Sequence, residues 1–406
     1  MNPNATLIVA DATGQSDAAP AIQRALDAAG HLALPPGHYR IGETLRVRGG
    51  TRLDLHPQAT LMLADRVGRD MHVFLLTNAH HDTGDADIEV RGGIFHGNNA
   101  ANPRTDAGAK DPTSDPGSYS GVMVNFRNVR RLTFADALLR NPETYHLRLS
   151  QVERFLIEDL RFHSSNPRGN NDGVHLGGHC EDGIIRRIRG LGPHAPNDDL
   201  VALNADDAIN RIECQGKTRG PIRRVHIHDL DADQCHSFVR ILSTDALIED
   251  IDIDGIRGGC TTAVINMDGA RGCRVQVFDA RDPRYADGVG DCRDIRIANV
   301  DAWVARTGST HPLFNLQQRV EGLVIRHVRR DHSRDGSPDA PTLALRHVPG
   351  HHATLEGLTP HQLDDLARSN APVQRCGHDC ATATLARDHA LTLPTGGFAR
   401  LTVIRA

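Results

Sequence analysis

The stretch Ile251-Asp252-Ile253-Asp254-Gly255-Ile256 alternates apolar and polar residues and then adds a third apolar residue after a gap of two. Alternation with a period of two is typical of a β-strand that buries one face, and not of a helix. Five more segments carry the same pattern: Phe155–Leu160, Val225–Leu230, Val275–Ala280, Ile295–Val300 and Leu323–Val328. Looser copies occur at Leu53–Leu55, Ile88–Val90, Leu132–Phe134 and Ile185–Ile188. The stretch is therefore one unit of an internal repeat.

The repeat spacing indicates which kind of solenoid the chain forms. Between Phe134 and Ile325 the copies follow one another at about 27 residues on average. A short strand with polar turns at this spacing is what one coil of a β-helix needs, because each coil buries its apolar side chains against its neighbours. A leucine-rich repeat would add a helix-length segment and an asparagine ladder, and an irregular β-sandwich would not keep one period through so many copies. We therefore predict an all-β protein, a right-handed parallel β-helix.

We predict one domain over residues 1–406. It divides into an N-terminal cap with the first coils (1–50), the β-helix coils (51–330), and C-terminal coils with a cap (331–406). An open solenoid end exposes apolar core and strand edges, so each end needs a cover.

Short helices are predicted at both ends. Ser16 or Asp17 can cap a helix from about residue 18 to 29, which would close the N-terminal end. A helix over about residues 360–368 and a last strand over 398–404 would cover the C-terminal end.

Composition excludes two classes of partner. The formal charge is -5 for 406 residues, without the basic patch of a nucleic-acid-binding protein, so no nucleic-acid partner is predicted. No segment approaches the roughly 18 apolar residues that cross a bilayer, so no membrane partner is predicted. The first residues lack a basic region followed by a long apolar one. We therefore expect a cytoplasmic protein, or a secreted one if a leader is missing from this sequence. The oligomeric state is left open.

Eight cysteines are spread through the repeat region and the C-terminal part. In a cytoplasmic protein, reduced and buried thiols are expected rather than a disulfide framework. Cys376 and Cys380 are the one close pair, which leaves open a small disulfide loop or half of a metal site. No neighbouring residues complete a zinc set, so we predict neither a metal nor another cofactor.

Aspartates cluster where the second strands of successive coils are expected to stack into one sheet. The alignment takes one inward-facing residue from each of four coils: Val174, Val201, Val239 and Val264. In this register Asp172 lies beside Asp199, and Asp198 and His236 lie one row earlier. Paired strands are about 4.8 Å apart, so three carboxylates come within a few ångströms of one another.

Crowded carboxylates raise one another's pKa, and a protonated carboxylic acid beside an ionised one is the pair that glycoside hydrolysis needs. Aspartate is also common at β-helix turns, where each residue taken alone has a structural explanation. The cluster of three favours a catalytic site formed by Asp172, Asp198 and Asp199.

Polar and basic residues around these aspartates are candidate substrate-binding groups. They are Asn171, His175, His236, Arg240, Arg148 and His146. Trp303 is the only tryptophan, so a long stacking platform for a neutral polysaccharide is not expected. The predicted partner is therefore a polar or acidic carbohydrate.

Two stretches resemble known β-helix proteins. The N-terminal stretch from Asp11 through Pro35-Pro36-Gly37 and Tyr39 resembles the start of many proteins of the pectate-lyase superfamily. The stretch from Asn141 to Asp199 resembles the polygalacturonase family of glycoside hydrolases.

The polygalacturonase family carries Asn-Thr-Asp-Gly, then Asp-Asp, Gly-His-Gly and Arg-Ile-Lys. Asn170-Asn171-Asp172-Gly173 matches the first motif except at Asn171, and Asp198-Asp199 matches the second. The resemblance implies that Asp198 protonates the glycosidic oxygen while Asp172 and Asp199 hold and deprotonate the attacking water, with inversion. It also implies a cell-wall polysaccharide as substrate.

The last two motifs depart from the family pattern. Cys235-His236-Ser237 stands in place of Gly-His-Gly, with His236 one residue out of register, and Thr262 to Asn266 replaces Arg-Ile-Lys. In the family that basic pair contacts the substrate carboxylate, a role that Arg240 or Arg148 would have to take. Three function classes stay open: an inverting glycoside hydrolase, a lyase or intramolecular transferase on the same scaffold, and a carbohydrate-binding protein without catalysis.

Overall fold

The structure is a computed structural model. It describes residues 5–28, 30–68, 70–103, 121–206, 218–267, 290–309, 311–316, 318, 320–338, 340 and 342–345, and the strands at 353–358, 380–385, 390–394 and 401–405.

The elements follow one another as strands, with one helix near the start. The first are β1 (Thr6–Leu7), β2 (Thr13–Asp17), α1 (Ala19–Ala28), β3 (His31–Leu34), β4 (Gly37–Ile41), β5 (Leu45–Val47), β6 (Arg52–Leu63), β7 (Leu76–Asn78) and β8 (Asp85–His96). The central ones are β9 (Val124–Ala135), β10 (Leu138–Arg140), β11 (Leu147–Glu158), β12 (Arg161–His163), β13 (Val174–Leu176), β14 (Cys180–Pro193), β15 (Asp199–Asn204), β16 (Ile222–Leu242) and β17 (Leu247–Met267). The last are β18 (Asp291–Val304), β19 (Phe314–Leu316), β20 (Val320–Glu321), β21 (Leu323–Arg330), β22 (Leu343–Leu345), β23 (Ala353–Leu358), β24 (Cys380–Leu385), β25 (Ala390–Pro394) and β26 (Leu401–Arg405).

The repeat pattern forms a continuous aliphatic ladder through the core. Its central rungs pair in parallel register, in the order Ile157, Ile185, Ile227, Ile253, Ile297 and Ile325. All six side chains are buried, and burying an isoleucine stabilises the fold by roughly 1.5–3 kcal/mol. The prediction of an all-β chain built from parallel repeats is confirmed.

One predicted copy of the repeat lies outside the described residues. Ile253 pairs directly with Ile297 of the next described strand. The copy at Val275–Ala280 falls within residues 268–289, which the structure does not describe, so it stays a prediction.

The coil corners use left-handed backbone. One column of corner residues has φ between 51° and 72°: Asp87, Arg131, Arg154, Asp182, Arg224, Asp250, Asp294 and Gly322. Most residues avoid this region, which aspartate, asparagine and glycine tolerate best. Arg131 pairs with Asp87, and Arg224 pairs with Asp182, so arginines in the column bond to the coil before them. The abundance of aspartate at turns therefore has a backbone cause.

The N-terminal helix agrees with its prediction. Asp17 caps α1, with its Oδ1 accepting a hydrogen bond from the Ala19 N–H at 3.0 Å, and Ile22 and Leu26 face the core. Within the described residues, no helix has both the length and the apolar composition needed to cross a bilayer. The predicted C-terminal helix lies outside those residues.

The cysteines with described side chains are Cys180, Cys235, Cys260 and Cys292. All four are buried free thiols, as expected. Cys376 and the side chain of Cys380 lie outside the described part, so the proposed pairing of those two stays untested.

Candidate active site

The aspartate strands stack as predicted. β13, β15 and the second half of β16 pair through Val174, Val201 and Val239. The Gly173 N–H donates to the Asp199 carbonyl at 2.8 Å, which places Asp172 beside Asp199. Asp199 in turn pairs with Ser237 of the next coil.

The fourth predicted strand is out of register by one residue. Val239 pairs with Ile265 and not with Val264, because the β16–β17 ladder shifts just after Cys260. A β-bulge of this kind puts an extra residue into one strand and turns every later side chain to the other face. The alignment beyond the aspartates was therefore wrong at this coil.

The three aspartates differ from the corner aspartates. The corner residues Asp182 and Asp229 have φ of 57° and 59°, whereas Asp172, Asp198 and Asp199 are absent from the left-handed residues. A need for left-handed backbone therefore does not explain their presence.

Asp172 is buried and held by an imidazole. His175 Nδ1 lies 2.6 Å from Asp172 Oδ2, and the fully buried His175 ring stacks on Tyr145 with centroids 3.9 Å apart and planes 14° apart. Burial and the charge of Asp198 raise the pKa of Asp172 above its usual value, although the bond from His175 opposes the rise. His175 thus favours the ionised form of a carboxylate that burial would protonate.

Asp199 is the carboxylate that most strongly retains a proton. It is buried, and its Oδ1 accepts a hydrogen bond from the Ser237 hydroxyl. Burial first, and then the charges of Asp198 and Asp172, raise the pKa of Asp199 well above its usual value. A neutral serine donor compensates for burial less than a charged partner does.

Asp198 is the most exposed of the three. Its side chain is 17% exposed, and its Oδ1 lies 3.3 Å from Nδ1 of His236, whose side chain is 36% exposed. Burial would raise the pKa of Asp198, but the neighbouring His236 imidazole lowers it below its usual value. The same ion pair raises the pKa of His236 against its own burial. The pair therefore favours an imidazolium next to a carboxylate.

The environments of the three carboxylates drive their pKa values apart. Asp199 is protonated most readily, Asp198 is ionised beside His236, and Asp172 is stabilised as an anion by His175. Titratable groups separated in this way supply an acid and a base within one site.

Asp198, Asp199 and His236 also have donor atoms within 4.8 Å of one another, close enough to share a metal ion. Metal ligands have to be deprotonated, and without a metal Asp199 and His236 both have raised pKa values.

Two of the predicted substrate-binding residues are used inside the protein. The buried Asn171 amide donates to the carbonyls of Pro142 and Thr144 at 3.1 and 2.9 Å. His146 is fully buried, and its Nδ1 donates to the Asp172 carbonyl at 2.9 Å. Burial lowers the pKa of His146 to about 4, so its ring is neutral. These positions support the strand that carries Asp172, and not direct contact with a substrate.

The two predicted arginines lie in the row of His175. In the strand ladder Arg148 is the neighbour of His175, His175 is the neighbour of Ala202, and Ala202 is the neighbour of Arg240. Arg148 is buried and donates from Nε to Asn125 Oδ1 at 2.8 Å. Arg240 is half-buried and lowers the pKa of all three aspartates. Arg240 is thus the arginine whose charge acts directly on the aspartate site.

The sequence reasoning missed two residues of this site. Ser237 pairs with Asp199 in the strand ladder. Tyr145 shares the row of Asp172, because each lies two residues before a member of the Leu147–Val174 pair. Both follow from the register that located the aspartates, so the signal was present in the alignment.

Neither a protein-family model nor a curated protein sequence matches this chain. Solved structures do match. The PfbA surface adhesin of Streptococcus pneumoniae aligns with a TM-score of 0.57 and 14% identity, over 87% of this chain and 84% of the adhesin. The family 28 exopolygalacturonase of Yersinia enterocolitica aligns with a TM-score of 0.56 and 13% identity, over 98% and 78%. Gene product 12 of bacteriophage phi29 aligns with a TM-score of 0.58 and 12% identity, over 86% and 46%.

Identities this low report on the fold alone, and one fold hosts unrelated functions. The matched proteins include both an enzyme and an adhesin. The parallel register and the similarity to the exopolygalacturonase together show that the chain has a polygalacturonase-like parallel β-helix fold.

Proposed function

We propose that the protein is an inverting glycoside hydrolase that cleaves a glycosidic bond in a polar or acidic oligo- or polysaccharide. The observation that carries the proposal is the stack of Asp172, Asp198 and Asp199 in adjacent coils, with His175 and His236 driving their pKa values apart. Inverting enzymes need one carboxylic acid on the leaving-group side and one carboxylate that activates water.

Asp198 is the proposed general acid. It is more exposed than the other two aspartates, so it is the one that reaches a glycosidic oxygen. The lowered pKa of Asp198 and the raised pKa of His236 favour a carboxylate beside an imidazolium before the substrate binds. In the proposed step His236 passes that proton to Asp198, which delivers it to the leaving oxygen as the glycosidic bond breaks.

Asp172 is the proposed general base. Of the two buried carboxylates, Asp172 and Asp199, the hydrogen bond from His175 makes Asp172 the one that ionises more readily. Asp199 keeps its proton and holds the attacking water. The water oxygen forms the new bond to the anomeric carbon, and the water proton moves to Asp172. One water molecule is consumed for each glycosidic bond that is broken.

The substrate class follows from the charge around the site. Arg240 is half-buried and within electrostatic range of all three aspartates, and a guanidinium pairs well with a carboxylate on a sugar. This supports an acidic carbohydrate despite the missing Arg-Ile-Lys motif. We also propose right-handed winding, because crossovers between parallel strands are right-handed in nearly all proteins.

Carbohydrate binding without catalysis is the second candidate. The PfbA adhesin aligns as well as the exopolygalacturonase does, so the fold alone does not favour an enzyme over a binding protein. Carboxylates with separated pKa values are more typical of a catalytic site than of a binding surface, and this is why hydrolysis is the first candidate.

The test is incubation with uronate-containing and neutral oligosaccharides, followed both as new reducing ends and as absorbance of unsaturated uronate. Wild-type protein should release reducing ends without absorbance, and Asp198→Asn and Asp172→Asn should each lose that activity. Asp229→Asn is the matched control, because Asp229 is a 63% exposed corner residue. Absorbance would indicate a lyase, and binding without products would indicate the second candidate.

A further inference from the structure

A column of basic side chains lies outside the aspartate site. His96, Arg140 and His163 are the last residues of β8, β10 and β12, and they pair in parallel register. Paired residues point to the same side of a sheet and repeat every 4.8 Å or so. All three residues are half-buried. Successive coils therefore stack three basic groups on one face.

The surroundings of His96 contain hydrogen-bond donors that face each other. Its Nδ1 accepts from the Asn98 N–H at 3.0 Å, so the proton of the neutral ring is on Nε2. Nε2 lies 3.3 Å from Asn141 Nδ2. The Asn141 Oδ1 accepts from the Ser165 N–H at 2.8 Å, which fixes Nδ2 as the group turned toward His96. The Nε2–H of His96 and the Nδ2–H of Asn141 therefore face each other, with no acceptor from the described residues between them.

Arg140 and His163 add nitrogens without hydrogen-bond partners. Arg140 Nε and His163 Nδ1 are both buried atoms of this kind. A buried polar atom without a partner calls for an explanation, such as an ion that occupies the place.

The electrostatics agree with this geometry. Burial and the charge of Arg140 lower the pKa of both His96 and His163, and no carboxylate contributes to either shift. Among the described residues, Arg140 is the one charged group that acts on both rings. The column is therefore rich in donors, positively charged and uncompensated.

We propose that His96, Arg140 and His163, with the Asn141 amide, form a site for a tetrahedral oxyanion, a sulfate or phosphate group. A guanidinium fork matches such an anion, and charge-assisted bonds to it are strong. The bound group is either the free inorganic anion or an ester on a larger molecule. The column lies on other strands than the aspartates, and the proposal does not depend on hydrolysis.

The test titrates wild-type protein with sodium sulfate and sodium phosphate by calorimetry and by NMR of the histidine rings, with sodium chloride at equal ionic strength. Saturable binding should raise the pKa of His163, since a nearby anion favours imidazolium. Arg140→Gln should weaken binding about tenfold or more. Arg257→Gln should not, because Arg257 is an exposed arginine three coils away from Arg161, which lies two residues before His163.

His163→Gln provides a second variant if Arg140→Gln fails to fold, and circular dichroism checks the fold of each. Sulfated and unsulfated forms of one oligosaccharide separate the two sources. Tighter binding of the sulfated form than of free sulfate indicates an ester, and equal binding indicates the free anion. A chloride titration that reproduces the shift, or equal affinity in wild type and Arg140→Gln, would overturn the proposal.

Discussion

The bond between His175 and Asp172 gives the sharpest test of the proposed mechanism. His175 is fully buried with Nδ1 2.6 Å from Asp172 Oδ2, and its ring stacks on Tyr145. His175→Leu removes the donor and keeps a buried side chain of similar bulk. His175→Asn keeps an N–H donor where Nδ1 was. The two variants therefore separate the hydrogen bond from the packing.

The size of the effect follows from the kind of bond. A hydrogen bond to a charged group contributes about 1.5–3 kcal/mol, and one pKa unit corresponds to about 1.4 kcal/mol. Losing the bond should raise the pKa of Asp172 by about one to two units. A base works only when it is ionised, so the acid limb of the activity profile should move to higher pH. On that limb the rate should fall roughly 10–100-fold.

The assay is kcat against pH for wild type, His175→Leu and His175→Asn. His226→Asn is the control, because the His226 side chain is 53% exposed and lies outside the aspartate cluster. We expect a shifted limb in the leucine variant, partial recovery with asparagine, and no change in the control. If folded His175→Leu keeps the wild-type acid limb, Asp172 does not act as the base through His175.

Three further outcomes are expected. His236→Asn should lower kcat at all pH values and should remove the alkaline limb of the pH–kcat profile, as measured across pH. In the wild type that limb arises because His236 loses the proton meant for Asp198 as the pH rises through its raised pKa. Ile253→Ala, in the middle of the aliphatic ladder, should reduce the free energy of unfolding in urea by about 2–5 kcal/mol. Arg330→Met should cost about 3–5 kcal/mol in the same measurement, because it leaves Asp335 buried without its partner.

The ladder was predictable because one face of each strand is buried. Ile227, Ile253 and Ile297 alternate with polar residues in the sequence, and burial on one side only requires that period. Pairing is decided by what the neighbouring coils offer, so an isolated pattern cannot identify its partner strand.

The site was predictable as far as the register held. The pairing of Val174 with Val201 brought Asp172 beside Asp199 as expected. The bulge after Cys260 was not predictable, because the extra residue does not change the kinds of residue that the strand contains. A register argument therefore holds from coil to coil only until the first bulge.

The roles of the aspartates were the least predictable part, and the adjacent pair shows why. Asp198 and Asp199 are neighbours in sequence, yet Asp199 is buried against Ser237 while Asp198 reaches solvent beside His236. Alternation along a strand explains why adjacent side chains diverge. It does not say which of them meets a serine and which an imidazole, since both partners come from the next coil. Which of the two carboxylates keeps its proton is thus decided by residues almost forty positions away in sequence.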